Sequence, residues 1–106
     1  MLRMHSLRRW PLLGVVGMLT ACLSTPPVQE MSDARQAIAA AEEAEAETHA
    51  PAALAEARRL LEVAQRQIQN ESFGSARMNA VRAKDQATQA LTTSKTLDGV
   101  AIDLRQ

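Results

Sequence analysis

The sequence predicts an all-α fold: a short three-helix antiparallel bundle, or a helical hairpin plus a third helix, with alanine-rich, coiled-coil-like seams. Three observations lead to this prediction. Alanine, which has the highest intrinsic helix propensity, dominates the chain beyond its first thirty residues. Small apolar residues recur at alternating spacings of three and four, which places them on one face of a helix. Short breaks separate these periodic stretches, and short connections make consecutive helices antiparallel neighbours.

The first helix is predicted to begin between Val28 and Ser32 and to end near Thr48. Its apolar face consists of small residues with two larger ones beside them: Ala34, Ala37, Ala41 and Ala44, flanked by Met31 and Ile38. The last turns are strongly acidic, and each exposed carboxylate there opposes the helix dipole by roughly 0.3–1 kcal/mol. We therefore expect basic side chains beside this end of the helix.

The second helix is predicted to start at Pro51, because proline suits the first helical turn and disfavours helix in the residue before it. Its apolar seam is Leu54, Ala57, Leu61, Ala64 and Ile68. An antiparallel return of the chain brings Arg58 and Arg59 beside the acidic end of the first helix. These arginines are the predicted partners of Glu42 and Glu43.

The third helix carries the longest regular pattern in the chain. Ser72 is predicted to cap it by accepting a hydrogen bond from a first-turn N–H group. The seam then runs at alternating spacings through Phe73, Ala76, Ala80, Ala83, Ala87, Ala90 and Ser94. Beyond Ser94 the pattern decays, and Gly99 is the predicted stop. Residues 95–106 are therefore predicted to be a frayed or extended C-terminal tail.

The first part of the chain has the layout of a secretory signal. Basic residues precede a short apolar run, and they are Arg3, Arg8 and Arg9. The run is about half as long as the ~20 residues that a transmembrane helix needs. It ends in small residues that a signal peptidase accepts. The layout predicts a cleaved lipoprotein signal peptide over residues 1–21 rather than a permanent membrane span.

The motif Leu19-Thr20-Ala21-Cys22 resembles the lipoprotein consensus of leucine, a small or β-branched residue, alanine or glycine, and cysteine. The resemblance implies lipidation of the Cys22 thiol, cleavage before Cys22 and acylation of the freed amine. Stable anchoring takes at least two acyl chains, and a triacylated Cys22 meets that requirement. Leu23 stands where an aspartate often signals retention in the inner membrane. We therefore expect an outer membrane lipoprotein that faces the periplasm.

The lipidated cysteine is followed by a short tether, predicted over residues 22–30. Its two consecutive prolines, Pro26 and Pro27, favour an extended and semi-rigid spacer. Residues 31–94 form the predicted alanine-rich helical domain. The tether would hold this domain away from the membrane surface.

The helical region resembles an alanine-rich domain of unknown function found in small proteobacterial lipoproteins. The matching residues are the stretch from Ala34 to Ala44, Ala50-Pro51, Leu54, Ala57, Leu61, Ala64, Ile68, and the turn Glu71-Ser72-Phe73 with Ala76. At that turn the family commonly has Gly-Asp-Tyr and alanine. In related proteins this domain sometimes precedes an OmpA-like domain, which binds peptidoglycan. The resemblance implies an envelope protein.

Residues that carry chemistry are scarce in the chain. After Cys22 the sequence holds one histidine, His49, which is predicted to be an exposed loop residue. No second histidine or cysteine completes a metal site, and the glutamates around it are interpreted as a solvated helix face. No serine stands in a nucleophile motif. The sequence therefore predicts no enzyme, no cofactor and no metal.

Charge excludes one class of partner. From Cys22 onward there are nine basic and twelve acidic residues, which gives a net charge of −3. Nucleic-acid binding requires a clustered basic excess, so no nucleic acid is expected. The remaining partners are the membrane, through the lipid on Cys22, and an envelope protein or peptidoglycan.

Two function classes remain open. The first is a membrane-anchored, non-catalytic interaction or scaffold module of the envelope. The alternative is a structural alanine-rich coiled-coil oligomer associated with the cell wall, which would require self-association. Met78 and Val81 are the candidate partner contact, because they adjoin each other on the side of the third helix away from its seam. They can instead be scattered surface residues or contacts to the first helix.

Overall fold

The structure is a computed structural model that describes the chain from Thr25 to Gln106. In that part 88% of the residues are helical and no β-strand forms. The four helices are α1 (Val28–Glu43), α2 (Ala46–His49), α3 (Pro51–Gln69) and α4 (Phe73–Arg105). The predicted all-α class is confirmed. None of these helices is both long and apolar enough to cross a membrane.

The predicted signal peptide and lipid site lie outside the described residues. This applies to residues 1–21, to the cleavage motif Leu19-Thr20-Ala21, and to Cys22. The structure describes the tether only from Thr25. The lipoprotein assignment therefore stays a prediction from the sequence.

Helix α1 begins at Val28, as predicted, but ends at Glu43 rather than near Thr48. Glu45 adopts a left-handed backbone with φ of 61°, and the one-turn helix α2 follows. In a continuous helix Ala46 would lie about 140° around the axis from buried Ala41 and would face solvent. The turn at Glu45 instead lets Ala46 bury completely. Burial of Ala46 is the physical reason for the early end of α1.

Helix α3 begins at Pro51, as predicted. Its buried residues are Leu54, Ala57, Leu60 and Ala64. Leu60 was not in the predicted seam, and the predicted seam residues Leu61 and Ile68 are only half-buried. Helix α3 packs against both α1 and α4. The residues that it buries therefore cover a wider face than the single predicted seam.

Backbone hydrogen bonds form the turn between α3 and α4. Glu71 has a φ of 60°, in the left-handed region. The Ser72 N–H donates to the Gln67 carbonyl at 2.8 Å, and the Glu71 N–H donates to the Ile68 carbonyl at 3.0 Å. These two bonds form a Schellman motif, which normally favours glycine at the position of Glu71. Ser72 does precede α4, but its hydroxyl makes no capping hydrogen bond, so the predicted side-chain cap is wrong.

The first two-thirds of α4 matches the predicted seam. Six of its seven seam residues are buried: Ala76, Ala80, Ala83, Ala87, Ala90 and Ser94. Phe73, at the start of the seam, is half-buried. Ser94 can occupy a core position because its hydroxyl donates to the Ala90 carbonyl at 2.8 Å. The buried hydroxyl is therefore satisfied within its own helix.

Helix α4 then continues through Gly99 to Arg105, so the prediction of a frayed or extended tail over residues 95–106 is wrong. A glycine in a helix interior costs only about 1 kcal/mol, and extending a formed helix is easier than nucleating one. The helix also accommodates Thr92 and Thr96, because each donates a hydroxyl hydrogen bond to the carbonyl four residues earlier.

Three groups of buried residues hold the helices together. They are Met31, Ala64 and Ala80; Ala34, Leu60 and Ala83; and Ile38, Ala41, Ala46, Leu54, Ala57, Ala87 and Ala90. From one group to the next the residue numbers rise along α1 and α4 and fall along α3. Leu61 packs against all three groups. Small alanines at most of these positions let the helices approach closely.

Candidate functional site

The large apolar side chains that remain exposed are concentrated on α4. Seven large apolar side chains of the described chain are at least 43% exposed, and they are Val28, Met78, Val81, Leu97, Val100, Ile102 and Leu104. Six of the seven lie on α4. Single exposed apolar residues are ordinary, but a group of them on one element marks a candidate interaction surface.

Met78 and Val81 are exposed to 54% and 44%. They lie on the side of α4 that faces away from its buried seam, as the sequence predicted. Neither belongs to the core groups. They are therefore surface residues, and whether a partner binds them stays a prediction.

A second apolar surface lies on the last part of α4, residues 95–105, which we call the α4 extension. Leu97, Ala101 and Leu104 follow Ser94 at spacings of three, four and three. This is the same alternation that defines the buried seam, so the core-facing stripe continues into the extension. All three residues are exposed. Sequence reasoning missed this surface because it treated residues 95–106 as a frayed tail.

Ion pairs connect the acidic end of α1 to α3. Arg58 donates to Glu42 at 2.8 Å and to Glu47 at 2.7 Å. These hydrogen bonds raise the pKa of Arg58 above its ordinary value, and the bond to Glu47 contributes more than the bond to Glu42. The predicted contact of Arg58 with Glu42 is confirmed. Arg59 differs from the prediction, because it pairs within its own helix with Glu56 at 2.6 Å.

A polar cluster of three side chains lies at the short helix α2. The His49 Nε2 atom lies 3.1 Å from Asp98 Oδ1 and 4.0 Å from Glu45 Oε2. The His49 side chain is 25% exposed, so it is not the exposed loop residue that the sequence predicted. It ends α2, and the α4 extension supplies Asp98. The ligand atoms of the three side chains lie within 4.8 Å of one another, which is close enough to hold a metal ion.

Sequence reasoning could not find this cluster. Asp98 is far from His49 in the chain and adjoins Gly99, where the third helix was predicted to stop. Only the position of α4 relative to α2 brings the two side chains together. The one available signal was that Glu45 and His49 are four residues apart, and the turn at Glu45 makes that spacing hard to interpret.

Comparison with known proteins gives one match. Residues 29–98 match the family described as a domain of unknown function, DUF4398. No curated protein and no solved structure matches the chain significantly. The matched segment contains α1 from Gln29 onward, α2, α3, and α4 as far as Asp98. Because it spans more than half of the chain, this protein belongs to the DUF4398 family.

Proposed function

We propose that this protein is a lipid-anchored, non-catalytic interaction or scaffold module of the bacterial cell envelope. A triacylated Cys22 holds it at the periplasmic face of the outer membrane. The tether of residues 22–30 separates the helices from the lipid surface, and the helices present a contact surface for an envelope protein. The basic, apolar and small-residue sections of the leader support the anchor.

The proposed architecture is a three-helix antiparallel bundle of α1, α3 and α4, with α2 as part of the first connection. Its support is the order of residues in the buried groups. Met31 meets Ala64 and Ala80, whereas Ile38 belongs with Leu54 and Ala87. Advancing along α1 therefore means advancing along α4 and returning along α3.

The observation that carries the interaction role is the continuation of the α4 seam. Leu97, Ala101 and Leu104 repeat the spacing of the buried alanines without being buried themselves. Two of the three are leucines, which are larger than the alanines of the core and supply more apolar area. An amphipathic helix with anchors at such spacing suits an apolar groove on a partner. An envelope protein with such a groove is the proposed partner.

Photo-crosslinking in intact cells tests this role. A photoreactive residue replaces Ala101, and the lipidated protein is irradiated and isolated. We expect one adduct of defined mass, which the pair Leu97→Gln and Leu104→Gln abolishes while circular dichroism stays helical. The matched control, Thr93→Gln, should leave the adduct unchanged.

The other outcomes of this experiment contradict the assignment to the extension. An adduct that survives the two leucine substitutions shows that Leu97 and Leu104 do not carry the contact. If the adduct disappears instead in the pair Met78→Gln and Val81→Gln, the contact lies on the opposite side of α4. That second result would support the surface predicted from the sequence.

The anchor has its own test. Cys22→Ser should leave an unprocessed precursor that takes up no acyl label, because the thiol is the proposed lipid acceptor. Mass spectrometry of the isolated protein distinguishes the forms. Normal maturation of the variant would contradict the proposed anchor without affecting the contact surface.

The alternating spacing of the seam also favours a second candidate function, a coiled-coil oligomer associated with the cell wall. Continued alternation through Leu97 and Leu104 is the pattern by which helices pair in coiled coils. The crosslinking experiment separates the two functions by mass. An adduct of two copies of this chain supports the oligomer, and an adduct with another protein supports the interaction module.

A further inference from the structure

We propose that Glu45, His49 and Asp98 form a binding site for a divalent transition metal ion, with Zn²⁺ as the ion that best fits the donor set. The site is distinct from the apolar surfaces of α4. It does not depend on the proposed envelope function. It rests on the positions of three side chains from two segments of the fold, the turn and helix at α2 and the α4 extension.

The geometry suits a small ion. Ligand atoms at about 2.0–2.2 Å from a tetrahedral zinc ion lie roughly 3.3–3.6 Å from one another. His49 Nε2 lies 3.1 Å from Asp98 Oδ1 and 4.0 Å from Glu45 Oε2. All three ligand atoms lie within 4.8 Å of one another. Small side-chain rotations of the carboxylates are enough to reach metal-ligand distances.

The donor chemistry selects the class of ion. One imidazole nitrogen and two carboxylate oxygens suit zinc and its first-row neighbours, because imidazole is a poor ligand for hard cations. Calcium takes six to eight oxygen ligands, and this cluster offers two carboxylates. Three protein ligands leave a fourth tetrahedral position for water. We therefore expect Zn²⁺ to bind and Mg²⁺ and Ca²⁺ not to compete.

The backbone holds the three ligands in different ways. Glu45, whose backbone is left-handed, immediately precedes α2, and its carbonyl accepts a hydrogen bond from the His49 N–H at 3.1 Å. His49 lies at the end of α2, next to Ala50, which packs against a core group. Asp98 projects from the α4 extension. Glu45 and His49 are thus held by the packed helices. Asp98 is held by the part of α4 that follows Ser94, the last buried residue of that helix.

Metal binding at this position has a structural consequence. The α4 extension has no buried residue of its own. A metal that bridges Asp98 to His49 and Glu45 joins the extension to the α1–α2 turn. Zinc should therefore reduce opening of the extension and leave the core of the bundle unchanged.

Calorimetric titration with Zn²⁺ alone tests the site in the full chain. The background protein carries His5→Ala and Cys22→Ser, because these two residues are the chain's other imidazole and its one thiol, the other side chains that bind zinc well. We expect one zinc ion per chain. His49→Ala, Asp98→Asn and Glu45→Gln should each weaken binding at least about tenfold. The matched control is Asp103→Asn, which removes an exposed carboxylate from the same extension and should not change the affinity.

Hydrogen exchange supplies a second readout. Zinc should slow amide exchange in residues 95–105, and Asp98→Asn should abolish that effect. Circular dichroism checks that each variant remains folded. The proposal is overturned if the background protein binds no zinc, or if His49→Ala binds zinc as tightly as its parent. In either case the cluster is a polar contact between His49 and Asp98 with a neighbouring carboxylate.

Discussion

The two parts of α4 share one residue pattern but have different surroundings. From Ala76 to Ser94 the helix contributes a small residue to the core at every third or fourth position. In the α4 extension the same stripe continues through Leu97, Ala101 and Leu104, and every one of these is exposed. The comparison teaches that a helical repeat specifies which face is apolar. It does not specify where the neighbouring helices end.

The two parts should also differ in stability. The first part is helical because α1 and α3 pack on it. The extension is helical because it propagates from a formed helix and because His49 contacts Asp98 at 3.1 Å. Segments with few buried contacts open at lower free energies than the core. The predictions below test this difference, from the largest expected effect to the smallest.

Truncating a core leucine should have the largest effect. Leu54 is 1% exposed, and Leu54→Ala should lower the free energy of unfolding by about 2–5 kcal/mol. Leu104 is 83% exposed, and Leu104→Ala should change it by less than about 0.5 kcal/mol. Urea denaturation followed by circular dichroism measures both. Equal effects would show that the extension belongs to the cooperative core.

Enlarging an alanine should destabilise the packed part of α4 and have little effect in the α4 extension. Ala83 is fully buried between α1 and α3, so Ala83→Leu should cost about 1–3 kcal/mol through overpacking. Ala101 occupies the same stripe in the extension but is exposed. Ala101→Leu should be close to neutral in thermal denaturation. A stable Ala83→Leu variant would mean that the helices are farther apart than described.

A substitution in the turn that precedes α4 should stabilise the protein. Glu71 has a φ of 60°, where glycine is favoured and other residues pay roughly 1 kcal/mol or more. Glu71→Gly should therefore raise the melting temperature. Glu62→Gly, a change of the same residue type inside α3, should lower it by the ordinary cost of a helical glycine. A fall in melting temperature for Glu71→Gly would contradict the left-handed turn.

The smallest effect is expected at Gly99. A Cβ added there meets no atom within 4 Å, so Gly99→Ala should stabilise the extension by about 1 kcal/mol. The gain should be local, because we expect the extension to open while the packed helices stay folded. Slower amide exchange in residues 95–105, with an unchanged urea midpoint, is the expected result. An unchanged exchange rate would show that the extension is not helical at Gly99.

The sequence predicted those features of the fold that depend on local pattern. The α4 seam and the start of α3 at Pro51 follow from spacing and proline geometry alone. The end of α1 could not be predicted, because the turn at Glu45 is stabilised by burial of Ala46 against other helices. The same limit explains the missed core position of Leu60, which depends on α3 having two neighbours.

The candidate sites were predictable to different degrees. Met78 and Val81 followed from helical spacing, and the structure leaves both exposed. The cluster around His49 was not predictable, because it depends on how far α4 extends alongside α2. The apolar stripe of the extension was visible in the sequence as a continued alternation. It was missed because Gly99 was treated as a stop, although extending a formed helix through one glycine costs little.

The most direct test of the account is native-state hydrogen exchange of the full chain in the presence of a metal chelator. Amides between Ala76 and Ser94 should exchange only through global unfolding, with a free energy that matches urea denaturation. Protection of the amides of residues 96–105 should be at least about a hundredfold lower. Urea should barely change the exchange rates of these amides, because local opening exposes little surface. Equal protection and equal urea dependence along the whole of α4 would contradict the account.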